Sequence, residues 1–223
     1  MSSTAFMSEA LARDEICRVG RSLFERGYVH ATAGNISVRL EDGSFLITPT
    51  DACMGYLEPA RISHVGADGT QLSGDRASKT LALHRRIYGA DADARCVIHT
   101  HSTHLVALTL KGVWRTSDIV PPITPYFVMK VGHVPLIPYH KPGDARVADL
   151  VSDTILQAQA NGAPIRAVML DRLGPNVWQS TPAAAMATLE ELEETARLWL
   201  TTQPAPLSDA QIDELRTTFG ARW

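Results

Sequence analysis

Helix-type and strand-type segments alternate along the whole sequence, and this alternation restricts the fold more than any other feature. Residues 8–28 place apolar side chains at spacings of three to five, which is the period of one helical face. The apolar stretch within 94–102 is short and reads as a strand, whereas 181–203 opens with a Thr-Pro pair and has the pattern of a long helix. Without repeats or a low-complexity linker, the sequence predicts one α/β domain over residues 1–223, with residues 204–223 as a C-terminal tail.

The composition is that of a globular protein with a substantial core, since 45% of the 223 residues are hydrophobic and 20% are charged. A net charge of −3 provides no basic surface of the kind that binds nucleic acid or anionic membranes. The N-terminal stretch lacks the basic and apolar regions of a signal peptide, and no apolar run of about 18 residues is present. The three cysteines are odd in number and widely spaced, which favours reduced thiols. We therefore expect a cytoplasmic protein without nucleic-acid or membrane partners.

Three histidines end the stretch RCVIHTHSTH, residues 95–104. On a strand, His99 and His101 would project from the same face with their backbones about 7 Å apart, so both imidazoles could converge on one metal ion. The alternative is that they are strand-end histidines bonded to water or to the backbone. An apolar strand that delivers ligands to its end is typical of open α/β sheets, which favours the metal interpretation. His104 lies at the start of the next predicted helix, so we expect it to support a metal ligand rather than to bind the ion.

Three polar turns of small residues precede these histidines. The turns at 32–37 and 47–51 carry Asn35 and several threonine hydroxyls, which would suit an oxyanion together with exposed backbone N–H groups. Ser78 and Lys79 lie at the predicted N-terminus of a helix, where the dipole and free N–H groups favour an anion, and Ser78 is the expected N-cap. Each turn alone is better explained by capping and turn formation. Three such turns with a lysine together suggest a pocket for an anionic substrate.

Five segments occur in the order of a known family and span nearly the whole chain. They are GNISVR (34–39), LITPTD (46–51), ASKTLALHRRIY (77–88), CVIHTHSTH (96–104) and LEELEETA (189–196). On these segments the chain resembles the class II aldolase/adducin family. The resemblance implies a central, mostly antiparallel sheet flanked by helices and a homotetramer with active sites at subunit interfaces. It also implies a divalent metal that stabilises an enediolate, with Zn²⁺ as the expected ion and Mn²⁺ as an alternative.

Within that family, the Ser-Lys pair, the HTHSTH segment and residues 123–144 look most like the 3-oxo-tetronate 4-phosphate decarboxylases. That resemblance implies metal ligation by His99 and His101. It implies that the phosphate of a sugar-acid substrate is bound by Asn35, Thr50, Ser78 and Lys79.

Two positions depart from the family pattern. Thr80 stands where the family commonly has a glutamate that transfers protons and in some states binds the metal, and Leu173 stands where it has a metal-binding histidine before a glycine. Either the metal is weakly held or absent, or another side chain replaces the missing ligand. The candidates for that replacement are His140, His133, His30 and Asp171. We rank His140 first because it lies in a polar Pro/Gly turn.

The reaction implied by this resemblance is decarboxylation of a β-keto acid to dihydroxyacetone phosphate and CO₂. The carboxylate leaves as neutral CO₂ without the help of a base, so the loss of the glutamate harms an aldolase more than a decarboxylase. Lys79 is the catalytic candidate, as an anion-binding group or a proton donor, although an ordinary solvated lysine explains its position equally well. Tyr126 and Tyr139 are further possible donors.

Two rival functions remain open at the level of sequence. One is an aldolase or epimerase acting on another phosphorylated sugar, such as L-fuculose 1-phosphate or L-ribulose 5-phosphate. The other is a non-catalytic adducin-like binding module, which would explain the missing glutamate and histidine but not the retained His-x-His pair.

Overall fold

The structure is a computed structural model that describes residues 6–223. Within that range it contains seven α-helices: α1 (Glu9–Glu25), α2 (Leu81–Ala90), α3 (Thr103–Lys111), α4 (Pro125–Lys130), α5 (Arg146–Ala160), α6 (Pro182–Thr202) and α7 (Asp209–Phe219). Side-chain caps fix the start of two long helices, because Ser8 accepts a hydrogen bond from the N–H of Leu11 and Thr181 accepts one from the N–H of Ala184. None of the helices described has both the length and the apolar character needed to cross a membrane.

One sheet contains all eight strands of the described range: β1 (Asn35–Arg39), β2 (Phe45–Ile47), β3 (Ser63–Val65), β4 (Gln71–Ser73), β5 (Cys96–His99), β6 (Leu136–Ile137), β7 (Ala167–Leu170) and β8 (Gly174–Gln179). Their order across the sheet is β4-β3-β2-β1-β5-β8-β7-β6. Only the pairing of β6 with β7 is parallel, and every other neighbouring pair is antiparallel. The expected fold class, an α/β domain with a mostly antiparallel sheet flanked by helices, is confirmed.

The sheet separates two apolar layers. Helices α1, α3 and α6 cover one face, where Ile36, Ile98 and Val177 of three central strands are fully buried or nearly so. Helices α2 and α5 cover the other face, which contains Val97 and Trp178. Since successive residues of a strand point to opposite faces, His99 belongs to the α2/α5 face together with Val97.

The start of α2 differs from the expected one. The helix begins at Leu81 and Thr80 occupies the N-cap position, so the prediction of Ser78 as N-cap is wrong. The reason is a local turn, in which the Ser78 Oγ lies 2.5 Å from the Thr80 Oγ1 and also accepts a hydrogen bond from the Thr80 N–H. This turn delays the helix by two residues and keeps Ser78 and Lys79 in the loop before it.

Two segments are more ordered than the sequence suggested. The proline-rich stretch 123–144 contains the short helix α4, which Thr124 caps by accepting a hydrogen bond from the N–H of Phe127. The last twenty residues contain α7, whose Ile212 and Leu215 are buried. Their treatment as a tail separate from the domain remains a prediction about organisation.

Candidate active site

The two histidines of the His-x-His pair lie where β5 leaves the sheet. β5 ends at His99, and His101 belongs to the short connection before α3, so only the first of the pair is on the strand as expected. The two rings are nevertheless neighbours, with centroids 5.1 Å apart and planes inclined by 70°. The predicted side-by-side arrangement of imidazoles is therefore reached through a turn rather than along a strand.

The protonation of His99 is set by its surroundings. Its Nδ1 lies 2.8 Å from the carbonyl oxygen of Pro175, which can only accept, so Nδ1 carries the proton and Nε2 keeps a lone pair. Burial lowers the pKa of His99 to about 4, helped by the charge of His101. Burial and the charge of His30 also lower the pKa of His101. Both rings are neutral near pH 7, which is the form that binds metal ions.

Gly174 at the start of β8 allows the close approach that holds this turn in place. Its φ is +143°, and a Cβ added there would lie 1.9 Å from the carbonyl oxygen of Thr100. Only glycine fits this position. The peptide between His99 and His101 is therefore packed directly against the backbone of β8.

A row of polar side chains crosses three strands at the level of His99. Asn35 of β1 pairs with His99, and His99 pairs with Asn176 of β8. Directly opposite residues of antiparallel strands share a face, with Cβ atoms about 5 Å apart. Asn35 is 7% exposed and Asn176 is fully buried. Asn176 was not singled out in the sequence, because an asparagine inside GPNVW gives no local sign that it faces a histidine.

Backbone contacts bring the predicted phosphate-binding segments together. The Thr50 N–H donates to the Arg76 carbonyl at 2.9 Å, and Pro49 forms an isolated bridge with Ala77. The loop that contains Thr50 therefore lies against the residues just before Ser78.

The same loop also reaches the start of β1. The Thr48 Oγ1 accepts a hydrogen bond from the N–H of Ile36, the neighbour of Asn35. Asn35, Thr50 and Ser78 thus belong to adjoining segments at one end of the sheet. Lys79 is exposed and makes no ion pair with any side chain in residues 6–223.

A cavity of about 360 Å³ opens beside His101. It is lined by His30, His101, Thr103, Val106, Ala107, Leu110, Arg172 and Leu173. Leu173, at the position where the resemblance implied a third histidine, therefore lies beside His101, and His30 lines the same cavity. Arg172 has a left-handed φ of +60° and its N–H donates to the Thr109 Oγ1. This arginine was also not identified from sequence.

The other proposed replacement ligands have partners elsewhere or lie outside this cavity. The Nδ1 of His140 is 2.8 Å from the Pro138 carbonyl. His133 is 2.7 Å from the Asp118 carboxylate and stacks on Trp223. Asp171 is absent from the cavity lining.

The structure also places the other side chains singled out in the sequence. His104 Nδ1 lies 2.9 Å from the Glu193 carboxylate of α6, which also accepts a hydrogen bond from the His104 N–H, so this pair stabilises the start of α3. Tyr126 and Tyr139 are each 63% exposed, and their roles as proton donors remain predictions.

The residues present fit a divalent metal in part. Two neutral imidazoles stand next to each other, as ligation of one ion by both would require. Among the described residues, however, no group of three His, Cys, Asp or Glu side chains could hold an ion. A further donor would therefore come from another residue type, from water, from the substrate or from another subunit.

The fold and the paired imidazoles at the end of a central strand define a protein of the class II aldolase type. The chain belongs to the Class II Aldolase and Adducin N-terminal domain family, whose sequence pattern matches residues 14–200.

Relatives that match nearly the whole chain indicate which enzyme class within the family it resembles. The chain is 54% identical over 223 residues to the 3-oxo-tetronate 4-phosphate decarboxylase of Cupriavidus necator, covering 97% of this chain and 99% of that one. It is 40% identical over 220 residues to the protein of the same name from Escherichia coli, covering 97% and 100%. The crystal structure of YgbL from Escherichia coli superposes with a TM-score of 0.85 and 40% identity, covering 93% of this chain and 99% of that one. These relatives confirm the expected enzyme class, a carbon–carbon lyase of the carboxy-lyase type.

Proposed function

We propose that this protein decarboxylates a 3-oxo-tetronate 4-phosphate to dihydroxyacetone phosphate and CO₂. The observation that carries the proposal is the contact between the neutral rings of His99 and His101, 5.1 Å apart, at the end of the sheet where the polar turns meet. The names of the relatives that match nearly the whole chain support the same substrate.

His99 and His101 are the residues that would hold a divalent cation, Zn²⁺ in the first place and Mn²⁺ as the alternative. When bound, such an ion supplies Lewis-acid stabilisation for negative charge that develops on a substrate oxygen. The hydrogen bond from His99 Nδ1 to the Pro175 carbonyl fixes the tautomer that leaves Nε2 available.

Binding of the phosphate falls to Asn35, Thr50, Ser78 and Lys79. The first three belong to adjoining segments, and the exposed Lys79 adds a positive charge at the start of α2. A phosphate bound there would leave the C2 hydroxyl and C3 ketone of a four-carbon sugar acid free to extend toward the histidines.

The missing glutamate favours decarboxylation over aldol cleavage. In the decarboxylation, the C1–C2 bond breaks, its electron pair stays on C2 in conjugation with the C3 oxygen, and neutral CO₂ leaves. A proton then adds to C2 to give dihydroxyacetone phosphate. No base is needed for the first step, so Thr80 in place of glutamate is compatible with it. Lys79 is our candidate for the group that delivers the proton.

The test is incubation of the purified protein with 3-oxo-tetronate 4-phosphate, followed by measurement of dihydroxyacetone phosphate and CO₂. We expect equal amounts of both products. We also expect His99→Ala and His101→Ala to lose turnover while their unfolding transitions remain cooperative. Unchanged substrate in the wild type would overturn the decarboxylase proposal. Undiminished turnover in both variants would overturn the role of the histidines.

The same preparation separates the rival functions. Cleavage or epimerisation of L-fuculose 1-phosphate or L-ribulose 5-phosphate, without decarboxylation, would favour the aldolase or epimerase. A protein that binds no metal and shows none of these activities would be the binding module, which the lack of a three-residue ligand group in the described chain favours. A cytoplasmic homotetramer with interfacial active sites is part of our proposal, and light scattering would measure the subunit number.

A further inference from the structure

Most of the buried polar atoms without a partner lie near His99. Within residues 6–223 these atoms are the Asn35 Oδ1, the His84 Nε2 and both polar atoms of the Asn176 amide, whereas the remaining one, the Arg39 Nε, lies at the far end of β1. Asn35 and Asn176 are the cross-strand partners of His99 on either side. His84 is close enough for the charge of His99 to influence its pKa. Buried polar groups almost always have partners, so this concentration calls for a partner that the protein chain does not supply.

Asn176 is the most pronounced of these cases. It is fully buried in the middle of an apolar strand, and neither its oxygen nor its nitrogen has a hydrogen-bond partner. Its strand neighbours Val177 and Trp178 are apolar and fully buried, and an apolar residue at 176 would avoid the loss of two hydrogen bonds. An unpaired amide kept at such a position indicates a contact that forms only when something is bound.

The strand register shows which residue lies next to the Asn176 side chain. His99 and Asn176 are directly opposite on antiparallel strands, so their side chains share the α2/α5 face. The His99 ring leans toward β8, because its Nδ1 bonds to the carbonyl of Pro175, the residue before Asn176. The Asn176 amide therefore lies on the same face as the His99 ring and one strand away from it, while His99 Nε2 keeps its lone pair free.

We propose that the Asn176 side-chain oxygen is a third ligand of the cation bound by His99 and His101, replacing the donor that Leu173 cannot supply. The inference rests on the proposed function only in assuming that the histidine pair binds a metal. Amide oxygens are established ligands of hard divalent cations, and a set of two imidazoles with one oxygen suits Mn²⁺ as well as Zn²⁺. The asparagine would complete a ligand set that the His, Cys, Asp and Glu side chains of residues 6–223 do not complete by themselves.

The experiment is a measurement of Mn²⁺ and Zn²⁺ dissociation constants by calorimetry on the full chain, with urea unfolding of the metal-free protein in parallel. We expect Asn176→Val to weaken binding of at least one ion by tenfold or more, while the urea midpoint of the metal-free protein stays the same or rises. Asn176→Asp, which keeps the shape and adds charge, should tighten binding about tenfold. The matched control is Thr188→Val, because Thr188 is also buried but has hydrogen-bond partners in Gln179 and Ala184. It should lower stability and leave both dissociation constants unchanged.

Wild-type affinity in both Asn176 variants would overturn the inference, as would a wild-type protein that binds neither ion. If Asn176→Val fails to fold, the Asn176→Asp measurement decides alone. Product formation from 3-oxo-tetronate 4-phosphate is measured independently. The ligand assignment can therefore fail while the decarboxylase proposal stands. Equally, metal binding by Asn176 can be confirmed while no product is formed.

Discussion

Gly174 and Thr100 are in backbone contact across the β5–β8 boundary, so close that a Cβ on Gly174 would lie 1.9 Å from the Thr100 carbonyl oxygen. The contact joins the start of β8 to the peptide that separates His99 from His101. Any side chain at residue 174 must push these two backbones apart, and with them the two imidazoles.

Gly174→Ala is therefore expected to destabilise the fold by at least about 3 kcal/mol, through both the clash and the φ of +143°. Urea unfolding measures the change. Gly89→Ala is the control, because nothing lies within 4 Å of a Cβ at this position of α2 and alanine favours helix there. An equal effect of the two substitutions would contradict the importance of the Gly174 contact.

Restoring a histidine at residue 173 should strengthen metal binding. Leu173 lines the same cavity as His101, so Leu173→His adds an imidazole beside the existing pair, and we expect the Zn²⁺ dissociation constant to fall about tenfold or more. Calorimetry provides the measurement. Leu110→His places an imidazole in the same cavity at a more exposed position and should have little effect. Unchanged affinity in Leu173→His would mean that the ion is held by a set of ligands that excludes this position.

Removal of the Lys79 charge should weaken catalysis without affecting the fold. A hydrogen bond to a charged group contributes about 1.5–3 kcal/mol, so Lys79→Met is expected to lower kcat/KM by about 10- to 100-fold. The unfolding midpoint should not change, because Lys79 is exposed and forms no ion pair with the described side chains. Lys111→Met at the end of α3 is the control for a lysine outside the phosphate site. Equal activities for both variants would remove Lys79 from the mechanism.

The free energy of unfolding of the metal-free protein should decrease as the pH is lowered below neutrality. Burial lowers the pKa of His99 to about 4 and that of His84 to about 3, from an ordinary value of 6.5. Below pH 6.5 the unfolded chain binds protons that the folded chain rejects, so this contribution is complete above 6.5 and is lost as pH falls toward the folded pKa values.

The slope is at most about 1.4 kcal/mol per pH unit for each ring. Urea unfolding at about pH 7.5 and about pH 5 tests the prediction, and His84→Gln should show a smaller difference because one titrating ring is gone. A free energy of unfolding that is the same at both pH values would contradict it.

The parts of this site that the sequence predicts are those encoded locally. The period of α1, the Thr-Pro start of α6 and the apolar strand before His99 depend on neighbouring residues, and each is found in the structure. The strand was expected to carry both histidines, but it ends at His99, because the backbone turns where β8 begins at Gly174.

Other features depend on pairing between distant parts of the chain. Asn176 is unremarkable in its own segment and becomes important only when β8 is aligned with β5. The places of His30, Arg172 and Leu173 around one cavity follow from the same assembly, which no local pattern reports. The roles proposed for Asn35, Thr50, Ser78 and Lys79 remain predictions.

The row formed by Asn35, His99 and Asn176 exists only after three strands from remote parts of the chain have assembled. An ion that needs both His99 and Asn176 of this row cannot bind an unfolded or half-formed sheet, so it cannot guide the early steps of folding. It would act instead by mass action on the finished molecule, and the melting temperature would rise with the concentration of free metal.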